Sequence, residues 1–410
     1  MPVFSIIIPA YNNSRYLPEC VHSLTSQEFR DIEIIIVDDA STDDTYLTAL
    51  TLAEQDARVV VLRHERNAGT LAARATGIEA ACGNYILLID QDDALVPRAL
   101  SSLLAISDAH PADIYHYGVR VEASTVAAQQ AAADMASFLT PMPRHLYSHD
   151  ILQAQFSDQG NFDWHVHHKM YRAALAKRAY AMATNERLLL SDDLYMCFIL
   201  DSLAQSYYAI PESPWYIYHL GRGDTFGSKS TVQTLDRLAY WESEAFRHIQ
   251  EFVHAHSRDI RRNDWDERIH DAGTRLIEHT MNEWKDTLSP NEQIDGLTCI
   301  NRHWPPDMVC AEIYRYVRDH AYAYYTASDR QSEQAELNRN EAMRFFHMAQ
   351  SIEKQHMRAI AKAHNRHYLQ MKTIACQHLM DGGILRRQSR SKSATLAVSL
   401  RSLLSRFITH

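Results

Sequence analysis

A doubly wound α/β sheet followed by a helical region is the fold class predicted for this chain of 410 residues. Three observations predict it. Short β-branched runs alternate with helical periods through the first hundred residues. Each of these runs holds consecutive apolar residues rather than one at every second position, as in strands buried on both faces. Beyond about residue 230, glycine and proline become scarce, and none occurs between Asp307 and Asp381.

The elements follow in order. Phe4–Pro9 (FSIIIP) reads as the first strand, and Ser14–Gln27, with Leu17, Val21 and Leu24 on one face, as the first helix. Glu33–Val37 (EIIIV) is the second strand, ending in Asp38-Asp39, and a helix is expected from near Thr42, where Asp43 and Asp44 suit its positive end. Val59–Leu62 is a third strand, Thr70–Ala81 a helix, and Tyr85–Ile89 (YILLI) a fourth strand running into Asp90. Asp113–Val121 is a further strand candidate, and Ala123–Ser137 a surface insertion or helix. In doubly wound sheets ligands bind beyond the carboxyl ends of the strands. Those ends carry Pro9-Ala10-Tyr11, Asp38-Asp39 and Asp90-Gln91-Asp92-Asp93, so acidic and polar residues collect on one rim.

The domains predicted are 1–230 for the α/β unit, 231–381 for a helical domain, and 382–410 for a basic tail. In the helical region Leu235, Leu238, Ala245, Ile249, Phe252 and Val253 recur at helical spacing. The tail has six Lys/Arg and no acid, with Leu396, Leu400, Leu403, Leu404 and Phe407 on one helical face. That pattern suits an interfacial helix, so residues 384–410 are a candidate for a membrane surface, with docking to a protein as the alternative. Self-association through the helical domain is the other expected contact. A net charge of −10 argues against a nucleic-acid partner. Six scattered cysteines without a C-x-x-C pair fit a reducing compartment, and no segment reads as a signal peptide or membrane span, so a cytoplasmic location is expected.

Four motifs in order, Ser5–Asn12 (SIIIPAYN), Ile36–Asp43 (IVDDASTD), Arg66–Arg74 (RNAGTLAAR) and Tyr85–Asp93 (YILLIDQDD), resemble those of family 2 glycosyltransferases. Ser191-Asp192-Asp193 and Tyr218-His219 continue the likeness, which covers about residues 3–230 and ends there. The resemblance implies a GT-A fold and an inverting transferase that moves a sugar from a nucleotide-sugar donor, expected to be a UDP-sugar, to a saccharide or lipid-linked acceptor in surface-polysaccharide synthesis. It implies that Asp92 is a direct ligand of Mn²⁺ or Mg²⁺. Asp90 joins it at the metal or meets the ribose, and His219 is a further candidate ligand. Hard carboxylate oxygens at a strand end suit these cations.

The same resemblance places Asp39 on the nucleobase and Pro9, Ala10 and Tyr11 along the base pocket. It sets Asn67 and Gly69 beside the nucleotide, and Arg74 and Arg222 on the diphosphate. Asp193 is the candidate general base, supported by Asp192, where the family more often has Glu. Plain structural alternatives stand beside these roles: Asp39 serving a turn, Arg74 as a solvated helix arginine, and Asp192-Asp193 as acids complementing a helix dipole. The tract Trp164-His165-Val166-His167-His168 reads as structural, no neighbouring Cys or acid completing a metal site. Two rival functions are a degenerate scaffold of the same fold and a nucleotidyltransferase. The second lacks its expected basic Gly-rich loop, since Ala10-Tyr11-Asn12-Asn13 stands there.

Overall fold

The computed structural model describes residues 2–156, 163–223 and 230–385. The first part of the chain alternates strands and helices: β1 (Phe4–Ala10), α1 (Leu17–Thr25), β2 (Ile32–Asp38), α2 (Thr45–Gln55), β3 (Val59–Arg63), α3 (Thr70–Ala80) and β4 (Tyr85–Leu88). There follow β5 (Ala94–Leu95), α4 (Ala99–Ala109), β6 (Ile114–Ala123), α5 (Val126–Phe138), β7 (His145–Tyr147), α6 (His149–Phe156), β8 (Lys169–Arg172), α7 (Ala173–Met182), α8 (Asp192–Leu203) and β9 (Ser206–Leu220). One sheet runs β3-β2-β1-β4-β8-β6-β9-β5, with β7 on β9. Strands β3, β2, β1 and β4 are mutually parallel, β8 enters antiparallel between β4 and β6, and β6 and β9 pair in parallel.

Every residue of β1 is buried, so the run Ile6-Ile7-Ile8 meets apolar partners on both faces. Helix α3 packs on β1 and β2 at Gly77, where an added Cβ would lie 2.4 Å from Ile7 Cγ2 and 3.2 Å from Val37 Cγ2. A methyl there overfills a close-packed layer. Gly77→Ala is therefore expected to destabilise the protein by about 1–3 kcal/mol, measurable as a lower melting temperature. The stretch after 123 is a helix, α5, whose first turn is capped by Thr125 through its hydroxyl.

The remaining helices are α9 (Val232–His256), α10 (Trp265–Thr287), α11 (Glu292–His303), α12 (Pro306–Thr326), α13 (Glu333–Ala363) and α14 (Arg366–Asp381). By compactness the chain divides into two units. The first joins Met1–Ser230 with Tyr240–Leu276, and the second joins Thr231–Ala239 with the chain from Ile277 on. The composition changes at 230, yet residues 240–276 group with the sheet, because Phe252 and Trp265 cover Phe198 on α8. The second unit has its own core of Trp284, Ile300, Val309, Ile313, Val317, Phe345 and Leu379, with the Trp284 indole donating to the Gln293 carbonyl (2.7 Å). Of the basic tail predicted for 382–410, residues 386–410 lie outside the described residues. Among the described residues no helix is long and apolar enough to cross a membrane.

Candidate active site

The rim at the carboxyl ends of β1, β2 and β4 is built by the residues the sequence placed there. Ala10 stands opposite Asp38 in the β1–β2 register, and the Asp39 N–H donates to the Ala10 carbonyl (2.8 Å). Asp38 is fully buried and accepts from the Ser41 N–H, with Arg63 Nε at 3.2 Å, a structural role. Tyr11 projects at the rim with 43 % of its surface exposed. Its N–H donates to Gln91 Oε1 (3.0 Å), and Gln91 Nε2 donates back to its carbonyl (3.1 Å).

Asp39 braces a turn, though not the one before α2. Its carboxylate accepts the N–H groups of Ala68 and Gly69, both at 2.8 Å, and its Oδ1 lies 2.7 Å from His64 Nδ1. Gly69, at φ +93°, makes the tight entry to α3 that places Asn67 beside the Asp39 carbonyl. The side chain of Asn67 also accepts from Arg187 Nη2 at 2.5 Å.

Arg74 is the centre of the site, and the solvated alternative for it is excluded. It is only 3 % exposed. From α3 its guanidinium reaches Asp90 Oδ1 after β4 (2.9 Å), Asp192 Oδ2 on α8 (3.4 Å), and Asp193 Oδ1, which it meets at very short range. Three carboxylates from two separate elements thus converge on one buried cation. Burial alone would lower the Arg74 pKa, but Asp193, Asp90 and Asp192 together hold it well above its ordinary value. The fork geometry of guanidinium allows this, since Nη1 serves the α8 pair while Nη2 serves Asp90. Asp193 keeps 18 % of its side chain exposed, and its second oxygen accepts the Val166 N–H (3.3 Å).

The acids after β4 divide their work. Asp93 is buried and accepts from the Tyr216 hydroxyl (2.7 Å) and the His219 N–H (2.8 Å), tying β9 to the acidic turn. It does not cap α4. Asp92 is pushed up to about 7 by burial and by the charges of Asp93 and Asp90. His219 is 5 % exposed, and its buried Nδ1 lacks a hydrogen-bond partner, lying 3.8 Å from Asp93 Oδ1. Arg222 is held by Glu19 (2.8 and 3.3 Å) with its guanidinium over the Tyr16 ring at 4.7 Å. Its Nη1 also donates to the Asp92 carbonyl (3.4 Å).

In the histidine tract His167 and His168 are buried and His165 is partly exposed, and the structure corrects the expectation that no acid stands near them. An acid does lie beside it: Asp163 Oδ2 is 2.9 Å from His168 Nε2 and 3.1 Å from His116 Nε2 on β6, a grouping of metal-ligand type. Lys169 Nζ lies 2.7 Å from the same oxygen, so the cluster already balances its own charge. Asp163 directly precedes Trp164 and was overlooked, whereas His116 lies 47 residues before it and joins the cluster through the β6–β8 pairing.

The raised carboxyls predict a pH dependence. Asp92, Asp192 and Asp201 are each pushed up to about 7, first by burial. A carboxyl whose folded pKa exceeds its unfolded value binds its proton more tightly when folded. Its stabilising contribution is therefore complete below about pH 4, falls as pH rises, and is gone above about pH 7. Thermal melts in buffer without divalent cations should show stability declining from pH 4.5 to 7.5. Mn²⁺ should recover part of the loss at pH 7.5, and Asp92→Asn should flatten part of the slope.

A mixed α/β sheet carries acids at its rim and is followed by helices. Residues 5–181 match the model of Glycosyl transferase family 2. EpsJ of Bacillus subtilis, described as an uncharacterized glycosyltransferase, is 33 % identical over 186 residues, covering 44 % of this chain and 50 % of EpsJ. The chain thus spans about half the length of that relative. EpsH of the same organism, a putative glycosyltransferase, is 26 % identical over 290 residues, covering 69 % of this chain and 78 % of EpsH. Among solved structures, S. aureus TarS 1–349 shares the fold, with a TM-score of 0.54 at 18 % identity over 87 % of this chain and 92 % of TarS 1–349.

Proposed function

We propose that the chain is an inverting glycosyltransferase that moves a sugar from a nucleotide-diphosphate donor to a hydroxyl of a saccharide or lipid-linked acceptor in surface-polysaccharide synthesis. The observation that carries this reading is the convergence of Asp90, Asp192 and Asp193 on Arg74, which brings the acid pair of α8 to the acidic turn after β4. A transferase needs those two groups of carboxylates close together, one for the leaving diphosphate and one for the acceptor.

Asp193 is the general base. It takes the proton of the acceptor hydroxyl, whose oxygen bonds to the anomeric carbon while the bond from that carbon to the diphosphate oxygen breaks. The electron pair leaves with the nucleoside diphosphate. Asp192, raised by burial and by the charge of Asp193, holds its proton more readily than an ordinary carboxyl and so limits the charge beside the base. Asp92 and His219 suit a divalent cation: one is a carboxylate whose proton affinity is raised by neighbouring acids, the other offers an orphaned buried ring nitrogen. Asp90 is a weaker candidate ligand, because Arg74 holds one of its oxygens. Mn²⁺ or Mg²⁺ bound there supplies charge stabilisation at the departing diphosphate.

Tyr11, Ala10 and Pro9 form the wall offered to the base. Asp39, Asn67 and Gly69 shape the adjoining turn. Arg222 stands by the acidic turn for the diphosphate. TarS has been solved with UDP-GlcNAc and with UDP, which makes UDP-sugars the first donors to try. The protein is placed at the cytoplasmic side, with residues 384–410 meeting a membrane surface or an assembly partner and the helical unit available for self-association.

The test is release of nucleoside diphosphate from a panel of nucleotide sugars, with Mn²⁺, Mg²⁺ or EDTA. Metal-dependent release from one donor, lost in Asp92→Ala, is expected. Release of pyrophosphate would indicate a nucleotidyltransferase instead, and failure to bind any nucleotide sugar with Mn²⁺ would leave a scaffold.

A further inference from the structure

Two buried charges of the first unit take no part in the chemistry above. Asp163 and Lys169 are each 3 % exposed, and the Lys169 ammonium lies 2.7 Å from Asp163 Oδ2. Burying such a pair is costly unless its other hydrogen bonds are made. Besides the His116 and His168 rings on Asp163 Oδ2, the pair's further bonds meet at one residue, His165. Asp163 Oδ1 accepts from the His165 N–H (3.0 Å) and lies 2.7 Å from the His165 ring. Lys169 also donates to the His165 carbonyl at close range.

That carbonyl belongs to the same peptide unit as the Val166 N–H. A peptide unit is planar, with its C=O and N–H pointing in opposite directions, so fixing one fixes the other. The Val166 N–H is the group that donates to Asp193 Oδ2 (3.3 Å). The flanking peptides are held too: Cys197 Sγ, one turn along α8 from Asp193, lies 3.2 Å from the Trp164 carbonyl, and the Tyr171 hydroxyl donates to the Val166 carbonyl (3.2 Å).

We infer that the Asp163–Lys169 pair positions the general base, by orienting the His165–Val166 peptide so that its N–H is presented to Asp193. The inference rests on the reading of Asp193 as that base. Arg74 meets Asp193 on Oδ1, so the peptide N–H serves the other oxygen, Oδ2. The surroundings keep the pair charged. Burial would raise Asp163, but Lys169 above all holds it well below the usual carboxylate range. Burial pushes His168 down to about 4 and His116 well below its ordinary value, which leaves Lys169 as the full positive charge on the carboxylate.

The experiment compares wild type with the charge-neutral double variant Asp163→Asn/Lys169→Met, after circular dichroism confirms that it folds. Turnover is expected to fall about tenfold, the scale of one hydrogen bond to a charged group, with the donor KM within about twofold. The acid limb of the pH–rate profile should move to higher pH, because a carboxylate that loses an N–H donor holds its proton more tightly. A folded double variant with unchanged kcat and unchanged profile would overturn the inference. Should it not fold, the Val166 amide resonance of the wild-type protein decides: it should follow a carboxyl titration that disappears in Asp193→Asn, and indifference to that substitution overturns the idea. A wild type that turns over no nucleotide sugar would instead count against the transferase reading itself.

Discussion

Asp193→Asn is expected to lower kcat by at least about 100-fold, the scale of removing an acid–base group, while donor affinity stays within a few-fold. The substitution preserves shape. An amide oxygen still accepts from Arg74 or from the Val166 N–H, the two partners of the native carboxylate. What disappears is a group able to take a proton from an acceptor hydroxyl. Initial rates with donor and acceptor, alongside calorimetric titration of the donor, separate the two effects. Unchanged turnover would move the role of base to Asp192, whose pKa is raised by burial and by the charge of Asp193. Lost donor binding would instead assign Asp193 to the ground-state complex.

Arg74→Met should be the most damaging single change to stability in the first unit. It removes the buried cation shared by Asp90, Asp192 and Asp193 and leaves their charges facing one another. Breaking a buried ion pair by deleting one partner costs about 3–5 kcal/mol. The loss should deepen as pH rises from 6 to 8, because the uncompensated carboxyls keep their protons at the lower pH and surrender them at the higher. Chemical denaturation at both pH values measures it. Arg74→Lys keeps the charge but offers one point where the guanidinium offers a fork, so it should recover stability more than turnover. Equal losses at pH 6 and pH 8 would mean that the three acids are not coupled through this residue.

The strands β1 to β4 and the acids near their ends were legible in the sequence because each strand holds a run of three or more consecutive apolar residues. Strand bounds there agree to within a residue or two, and α3 begins at Thr70 as its period indicated. The later strands were harder to read. Strand β9 runs from Ser206 to Leu220 through Pro211 and Pro214, with buried and half-buried positions mixed, so no single period marks it. Its pairing with β6 shifts register around Gly118, where an added Cβ would lie 2.8 Å from the Pro211 carbonyl.

The candidate site shows the same limit. Asp90, Asp92, Asp192 and Asp193 declare themselves by position. Arg74 does not, because an arginine in a helix of small residues looks the same in sequence whether it faces water or three carboxylates. The partnership of Lys169 with Asp163 was hidden for a related reason: histidines dominate that stretch and draw the eye toward metal chemistry, while the charge balance comes from the residues at its two ends.

The two-point bond between Gln91 and Tyr11 gives the middle residue of the acidic turn a purpose of its own. A primary amide carries donor and acceptor side by side, so it pairs with a backbone as another peptide would. The last backbone bond between β1 and β4 runs from the Ile89 N–H to the Ile7 carbonyl. Gln91 adds one more rung beyond it, made by a side chain. The loop leaving β1 and the acids leaving β4 are thereby joined in a single frame, and a displacement of either one is transmitted to the other. A glutamate or a lysine at this position would supply half of the rung and release the two edges from each other.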